Sequence, residues 1–152
     1  MDSEHMKGYL FFREMYQYLR SKHVTPESIS YYTKRSKATI NRYLSAPGTK
    51  TSIPVPYAVA DNVINFVVLL DRVDTLNPTG ITEDQARNCR DWLEIARAGI
   101  VPRCLLADIS GTDIYRVGWV GYAHPDFGII PTDDMVSRAR AAEALAHRPR
   151  AA

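Results

Sequence analysis

Through the first two thirds of the chain apolar residues recur at spacings of three and four, and beyond Val101 they fall at alternate positions. The first period lays one face of a helix against a core, and the second lays one face of a strand there. From Lys7 to Lys22, Leu10, Met15, Leu19 and one of Phe11 and Phe12 make a helical stripe, with Arg13, Gln17 and Arg20 on other faces. Thr25 to Ser45 reads as two short helices about a tight turn. Thr25 and Ser36 are N-cap residue types, and Pro26 fits the first helical position because its φ is preset and it has no N–H to leave unpaired. The first helix should end near Thr33. The second, Lys37 to Leu44, has Ile40, Tyr43 and Leu44 on one side at spacings of three and four. Ala46 to Pro56, with three prolines and one glycine, is a loop. Tyr57 to about Thr75 is apolar nearly all round between Val63 and Leu70, which predicts a helix buried on more than one side.

Asn77 to Gly80 reads as a turn, and Thr82 to Gln85 has capping-box spacing. The helix that follows should run to Ala98, with Ala86, Cys89, Trp92, Leu93, Ile95 and Ala96 inward and Gly99 as its stop. Arg103–Ile109 and Ile114–Val120 are then expected strands, joined as a hairpin through Ser110-Gly111-Thr112-Asp113. Phe127–Ile130 adds a third short strand after a His124-Pro125-Asp126 turn, and Thr132 caps a last helix from Asp133 to about His147.

Charge changes this picture by being unevenly placed. The net charge is +2, yet Lys7 to Lys50 holds nine Lys/Arg against two acids, and Thr51 onward holds ten Arg against thirteen. Every lysine lies at or before Lys50. The basic stretch is therefore the one that carries the paired short helices, as expected where phosphate neutralisation supplies affinity. On the second of those helices Lys37, Thr39, Asn41 and Arg42 point away from the apolar side. Asn and Arg can make bidentate contacts to adenine and guanine edges, so such a helix suits a major groove. Five tyrosines (Tyr9, Tyr16, Tyr18, Tyr31 and Tyr32) interleave with the basic residues, at the spacing of core or rim positions rather than of a single-strand stacking platform.

The segment SKATINRYLS resembles the recognition helix of phage-repressor-like regulators of the lambda repressor and Cro type, and the likeness covers roughly Pro26 to Leu44. It implies a helix-turn-helix with Ile29 as the first core position, Ser30 as the small residue between the helices, and Ile40 and Tyr43 as the core of the second. Two residues depart from the pattern: Lys34 replaces a turn glycine and Arg35 an apolar residue. The turn then either differs by one residue or holds Lys34 in the left-handed region.

The expected fold is mainly α with a small β part: an N-terminal helix-turn-helix bundle, residues 7–75, and an α+β segment, residues 76–147, with a β-hairpin and a C-terminal helix. Residues 1–6 and 148–152 are tails. The expected function is sequence-specific binding of double-stranded DNA as a transcriptional repressor of phage or mobile-element type, in a bacterial cytoplasm or nucleoid. Lys37, Thr39, Asn41 and Arg42 would read bases, and Lys34, Arg35, Ser36 and Lys50 would hold phosphates. The second segment would dimerise, bind an effector, or act as a wing reaching DNA through Arg103 or Arg116; the resemblance allows a homodimer. An antitoxin of a toxin–antitoxin pair, a DNA-processing accessory and a protein-interaction domain are the other readings. No enzyme activity, cofactor or metal site is expected: His124 and Asp126 have no nucleophile beside them, and Cys89 and Cys104 are isolated, expected as small buried residues. No stretch reaches the roughly 20 apolar residues a membrane helix needs, and the acidic MDSEHM start is not a signal peptide. The terminal Ala151-Ala152 resembles the alanine pair read by bacterial tagged-protein degradation.

Overall fold

The computed structural model of the chain describes residues 3–73, 75 and 80–146. The basic tail from His147, the Ala-Ala terminus and most of the Asn77–Gly80 turn lie outside the described residues. The chain divides into two compact units, Met1–Asp71 and Arg72–Ala152.

The first unit is built from α1 (Ser3–Ser21), α2 (Pro26–Thr33), α3 (Lys37–Tyr43) and α4 (Tyr57–Asp71). Phe11, Phe12, Met15 and Leu19 of α1 meet Ile29 of α2, Ile40 and Tyr43 of α3, and Val59, Val63, Ile64 and Val67 of α4 in one buried core. Two edge-to-face aromatic pairs lock its layers, Phe12 on Tyr43 with centroids 5.3 Å apart and Tyr32 on Phe66 at 4.5 Å. The α1 stripe differs from the expected one. Both phenylalanines are buried and Leu10 is exposed, because residues 11, 12, 15 and 19 share a face from which Leu10 is turned by roughly 140° relative to Met15. Similarly, α4 buries one face rather than its circumference: Leu69 is 65% exposed and Leu70 is exposed as well. It also stops earlier, at Asp71, whose carboxylate accepts from the Tyr18 hydroxyl of α1.

The second unit contains α5 (Glu83–Ala98), α6 (Arg103–Ser110), a 3₁₀ helix (Arg116–Trp119) and α7 (Asp133–Ala146). Trp92, Ile95, Val101, Leu106, Ala107, Ile109, Val117, Val120, Val136 and Ala139 form its core. The expected capping box is formed: Thr82 Oγ1 accepts from the Gln85 amide at 3.1 Å and Gln85 Oε1 from the Thr82 amide at 2.9 Å. Gly99 ends α5 in the left-handed region at φ 72°. The Thr132 hydroxyl accepts from the Met135 amide at 3.2 Å and starts α7. Asn88, not foreseen as an inward residue, is buried and donates to Asp133 at 2.7 Å, tying α5 to α7.

The α+β expectation fails here. No sheet occurs among the described residues; extended pairing is a single parallel bridge between Val120 and Ile129. Arg103–Ile109, expected as a strand, is the helix α6, because Leu105, Leu106 and Ala107 are strong helix formers and the Pro102 carbonyl accepts the first helical bonds from Leu105 and Leu106. The Ser110–Asp113 tetrad is no hairpin turn. Gly111, at φ 67°, closes α6, with Thr112 N–H on the Ala107 carbonyl at 3.1 Å and Gly111 N–H on that of Asp108 at 3.3 Å, the Schellman arrangement. Asp113 then starts the next element, its Oδ1 accepting from the amides of Tyr115 and Arg116 at 2.8 and 2.9 Å. Ile114–Val120 does alternate, with Tyr115, Val117 and Trp119 buried, but its backbone bonds close locally except at the Trp119 carbonyl, which also accepts from Ile129 N–H at 3.2 Å. Phe127–Ile130 contributes only Ile129 to extended pairing. Cys89 is buried as expected, whereas Cys104 is exposed on α6.

After the 3₁₀ helix the chain folds back on itself so tightly that a side chain at Gly128 has no room. A Cβ there would stand 2.3 Å from the Tyr122 carbonyl and 2.4 Å from the His124 nitrogen, both backbone atoms. Gly128→Ala should therefore destabilise the second unit by about 2 kcal/mol or more, in the range of overpacked sites. Both tryptophans, Trp92 and Trp119, are buried in this unit, so denaturant unfolding followed by tryptophan fluorescence reads the effect. A wild-type midpoint would contradict the close approach.

Candidate nucleic-acid interface

The candidate interface begins with the cap of α2. Thr25 Oγ1 accepts from the Ser28 amide at 3.1 Å, and Pro26 occupies the first helical turn. The helix ends at Lys34, which is in the left-handed region at φ 58°, ψ 37°. Lys34 N–H reaches the Tyr31 carbonyl at 3.3 Å and Arg35 N–H the Ser30 carbonyl at 3.2 Å, again the Schellman pattern. Of the two ways a turn without glycine could be made, the chain uses the left-handed lysine. An apolar contact usually accompanies this motif; in its place the Ser30 hydroxyl donates to the Arg35 carbonyl. Thr33 is buried and satisfies its hydroxyl on the Ile29 carbonyl at 2.7 Å.

Ser36 then caps α3, accepting from the Thr39 amide at 3.1 Å. Ile40 and Tyr43 face the core at 3% exposure each, which fixes the rotation of α3 about its axis. Lys37, Ala38, Asn41 and Arg42 are exposed in consequence, and Thr39 is half-buried with its hydroxyl accepting from that of Ser36 at 3.0 Å. On the turn, Lys34 and Ser36 are exposed and Arg35 is half-buried.

The loop after α3 is folded onto it. Arg42 Nε donates to the Thr51 carbonyl at 3.1 Å, and the Arg42 carbonyl accepts from Ile53 N–H at 3.4 Å. The Thr51 hydroxyl donates to Ser45 Oγ at 3.1 Å, Thr49 caps on the Ala46 carbonyl at 2.8 Å, and Ser52 meets His5 Nε2 at 2.9 Å. Lys50 is exposed on this loop. Arg42 thus spends one of the five N–H donors of its guanidinium on the loop, which places Lys50 beside the end of α3.

Three residues of this surface were not among the sequence-derived candidates. Ala38 lies three and four residues before Asn41 and Arg42, so helical spacing alone puts it on their face. Tyr31 is 86% exposed on α2, unlike a core or rim tyrosine. Glu27, in the first turn of α2, bridges to Lys37 at 3.0 Å, and the hydrogen bond from Lys37 holds its carboxyl below the usual range. Such a contact, ten residues apart and between helices, has no signature in a linear pattern.

In the second unit the wing expected through Arg103 or Arg116 falls with the sheet, which is absent among the described residues. Arg103 donates to the carbonyls of Ile114 and Tyr115, and Arg116 pairs with Asp113 at 3.2 Å. His124 Nδ1 accepts from the amides of Asp126 and Phe127 at 3.1 and 3.3 Å, and its ring packs against Trp119 and Phe127. The imidazole therefore closes a turn. Among the described residues no three His, Cys, Asp or Glu side chains are placed to hold a metal, and no helix is long and apolar enough to cross a membrane.

No family model, no curated protein and no solved structure matches the chain. What the α2–α3 surface does must be argued from its own geometry and charge.

A non-glycine residue in the left-handed region carries a steric cost that glycine does not. Lys34→Gly should therefore raise stability by about 0.5–1 kcal/mol, in the range for relief of such strain offset by the greater freedom of unfolded glycine. Chemical denaturation checks it; a destabilised variant would show that the Lys34 side chain contributes more to the fold than its backbone strain costs.

Proposed function

We propose that the chain is a sequence-specific duplex-DNA-binding transcriptional regulator that acts as a repressor, of the phage-repressor-like helix-turn-helix kind, working in a bacterial cytoplasm or nucleoid. The observation that carries this reading is the rotation of α3. Burial of Ile40 and Tyr43 turns Lys37, Asn41 and Arg42 to solvent on one short helix, within the segment that holds nine basic residues against two acids. A helix presenting Asn and Arg is chemically suited to adenine and guanine edges in a major groove. Lys34, Arg35, Ser36 and Lys50, on the turn before α3 and the loop after it, flank that helix as phosphate contacts that set register without reading sequence. Thr39 contributes through its remaining hydrogen-bond capacity, since its hydroxyl already meets Ser36. Repression then needs no chemistry, only occupancy of a promoter.

The test is selection of bound fragments from a random duplex pool, eluted across a salt series. The reading predicts one enriched motif whose binding weakens steeply with salt, and motif symmetry reports whether one chain or a homodimer binds. On that motif Arg42→Ala should cost about 1–3 kcal/mol and relax preference at one base pair. Enrichment without a motif would favour a DNA-processing accessory, absence of binding would refute the reading and favour a protein-interaction domain, and co-purification with a toxin encoded next door would favour an antitoxin.

A further inference from the structure

The bridge between Glu27 and Lys37 takes in a residue of the proposed reading face, and both side chains are more than half exposed, at 66% and 59%. Glu27 is the one carboxylate between Thr25 and Ser45. Its position in the first turn of α2, and that of Lys37 at the start of α3, make the bond a product of the turn, which brings the two side chains within reach. A carboxylate on a surface meant for a polyanion opposes binding unless it does something there.

We propose that Glu27 is a specificity-determining residue that holds Lys37 back from the phosphates of non-cognate duplex. This rests on the DNA-binding reading above. Random sequence offers the protein little beyond phosphates. To bind one, Lys37 must leave Glu27, and the carboxylate is then left without its cation close to the DNA backbone. The gain and the cost oppose each other, so Lys37 adds little affinity on non-cognate DNA. At a cognate site a carboxylate can accept from a cytosine amino group in the major groove. Lys37 is then released while Glu27 keeps a partner. Discrimination comes from penalising the wrong duplex, one of the two general routes to specificity.

The test uses the full chain as wild type, Glu27→Gln, Lys37→Met and the double variant, each titrated with the duplex enriched from the random pool and with a scrambled duplex of equal length. Circular dichroism checks that the variants are folded. Glu27→Gln should tighten binding to the scrambled duplex about two- to fivefold, the range set by the modest strength of an exposed ion pair. It should weaken binding to the enriched duplex, where Glu27 meets its cytosine, and steepen the salt slope on scrambled DNA by about one phosphate's worth. With Lys37→Met already in place, the same substitution should tighten the scrambled duplex clearly less, because the part of the effect that Lys37 carries is gone. Equal tightening on both duplexes would overturn the proposal. So would undiminished tightening in the Lys37→Met background, which would mean that Glu27 acts by bulk repulsion alone. Wild type that binds neither duplex would overturn the DNA reading itself, and this inference with it.

Discussion

The carbonyl of Ser30 and the left-handed backbone of Lys34 govern where α3 can go. The N–H groups of Lys34 and Arg35 fold back onto the last turn of α2, which turns the chain sharply enough for Ser36 to cap a second helix at once. The Ser30 hydroxyl reinforces the same corner by donating to the Arg35 carbonyl. Everything proposed for the exposed face of α3 depends on that geometry, because burial of Ile40 and Tyr43 leaves one rotation of the helix. A lysine in place of glycine is tolerated because three backbone and side-chain bonds over-determine the turn, the condition under which strained backbone persists.

The first unit then extends the corner outward. Arg42 and Ser45 hold the loop after α3 by hydrogen bonds to Thr51, so the basic positions from Lys34 to Lys50 lie on a continuous stretch of tied-down backbone. In the second unit charged and polar groups serve the fold. Arg103 braces the Ile114–Tyr115 carbonyls, Asp113 caps the 3₁₀ helix, and Arg140 of α7 lies among Asp91, Glu94 and Glu143.

What could be read from the sequence was whatever is decided within three or four residues. The caps at Thr25, Ser36, Thr82 and Thr132 each bond to a backbone amide three positions on, and Gly99 stops α5. The inward positions Ile40 and Tyr43 followed from helical spacing, and Ile29 from the resemblance of the paired helices to a known pattern. The hairpin misled because alternation reports burial and not hydrogen-bond partners. Tyr115, Val117 and Trp119 are buried at alternate positions, yet among the described residues their stretch pairs only with Ile129, and no ladder forms. Leu105, Leu106 and Ala107 favoured a helix by propensity, a signal outweighed in the reading by the apparent period. The Glu27–Lys37 and Asn88–Asp133 contacts join residues that only the fold brings together, so no local rule exposes them.

The central claim is that α3 and its flanking turn and loop form the DNA-reading surface. Backbone amide chemical shifts of the isotopically labelled full chain, followed during titration with the enriched duplex, test it most directly. The account predicts that the largest shifts fall on residues 34–52 and on Glu27. Largest shifts on α4 or in the second unit would contradict it.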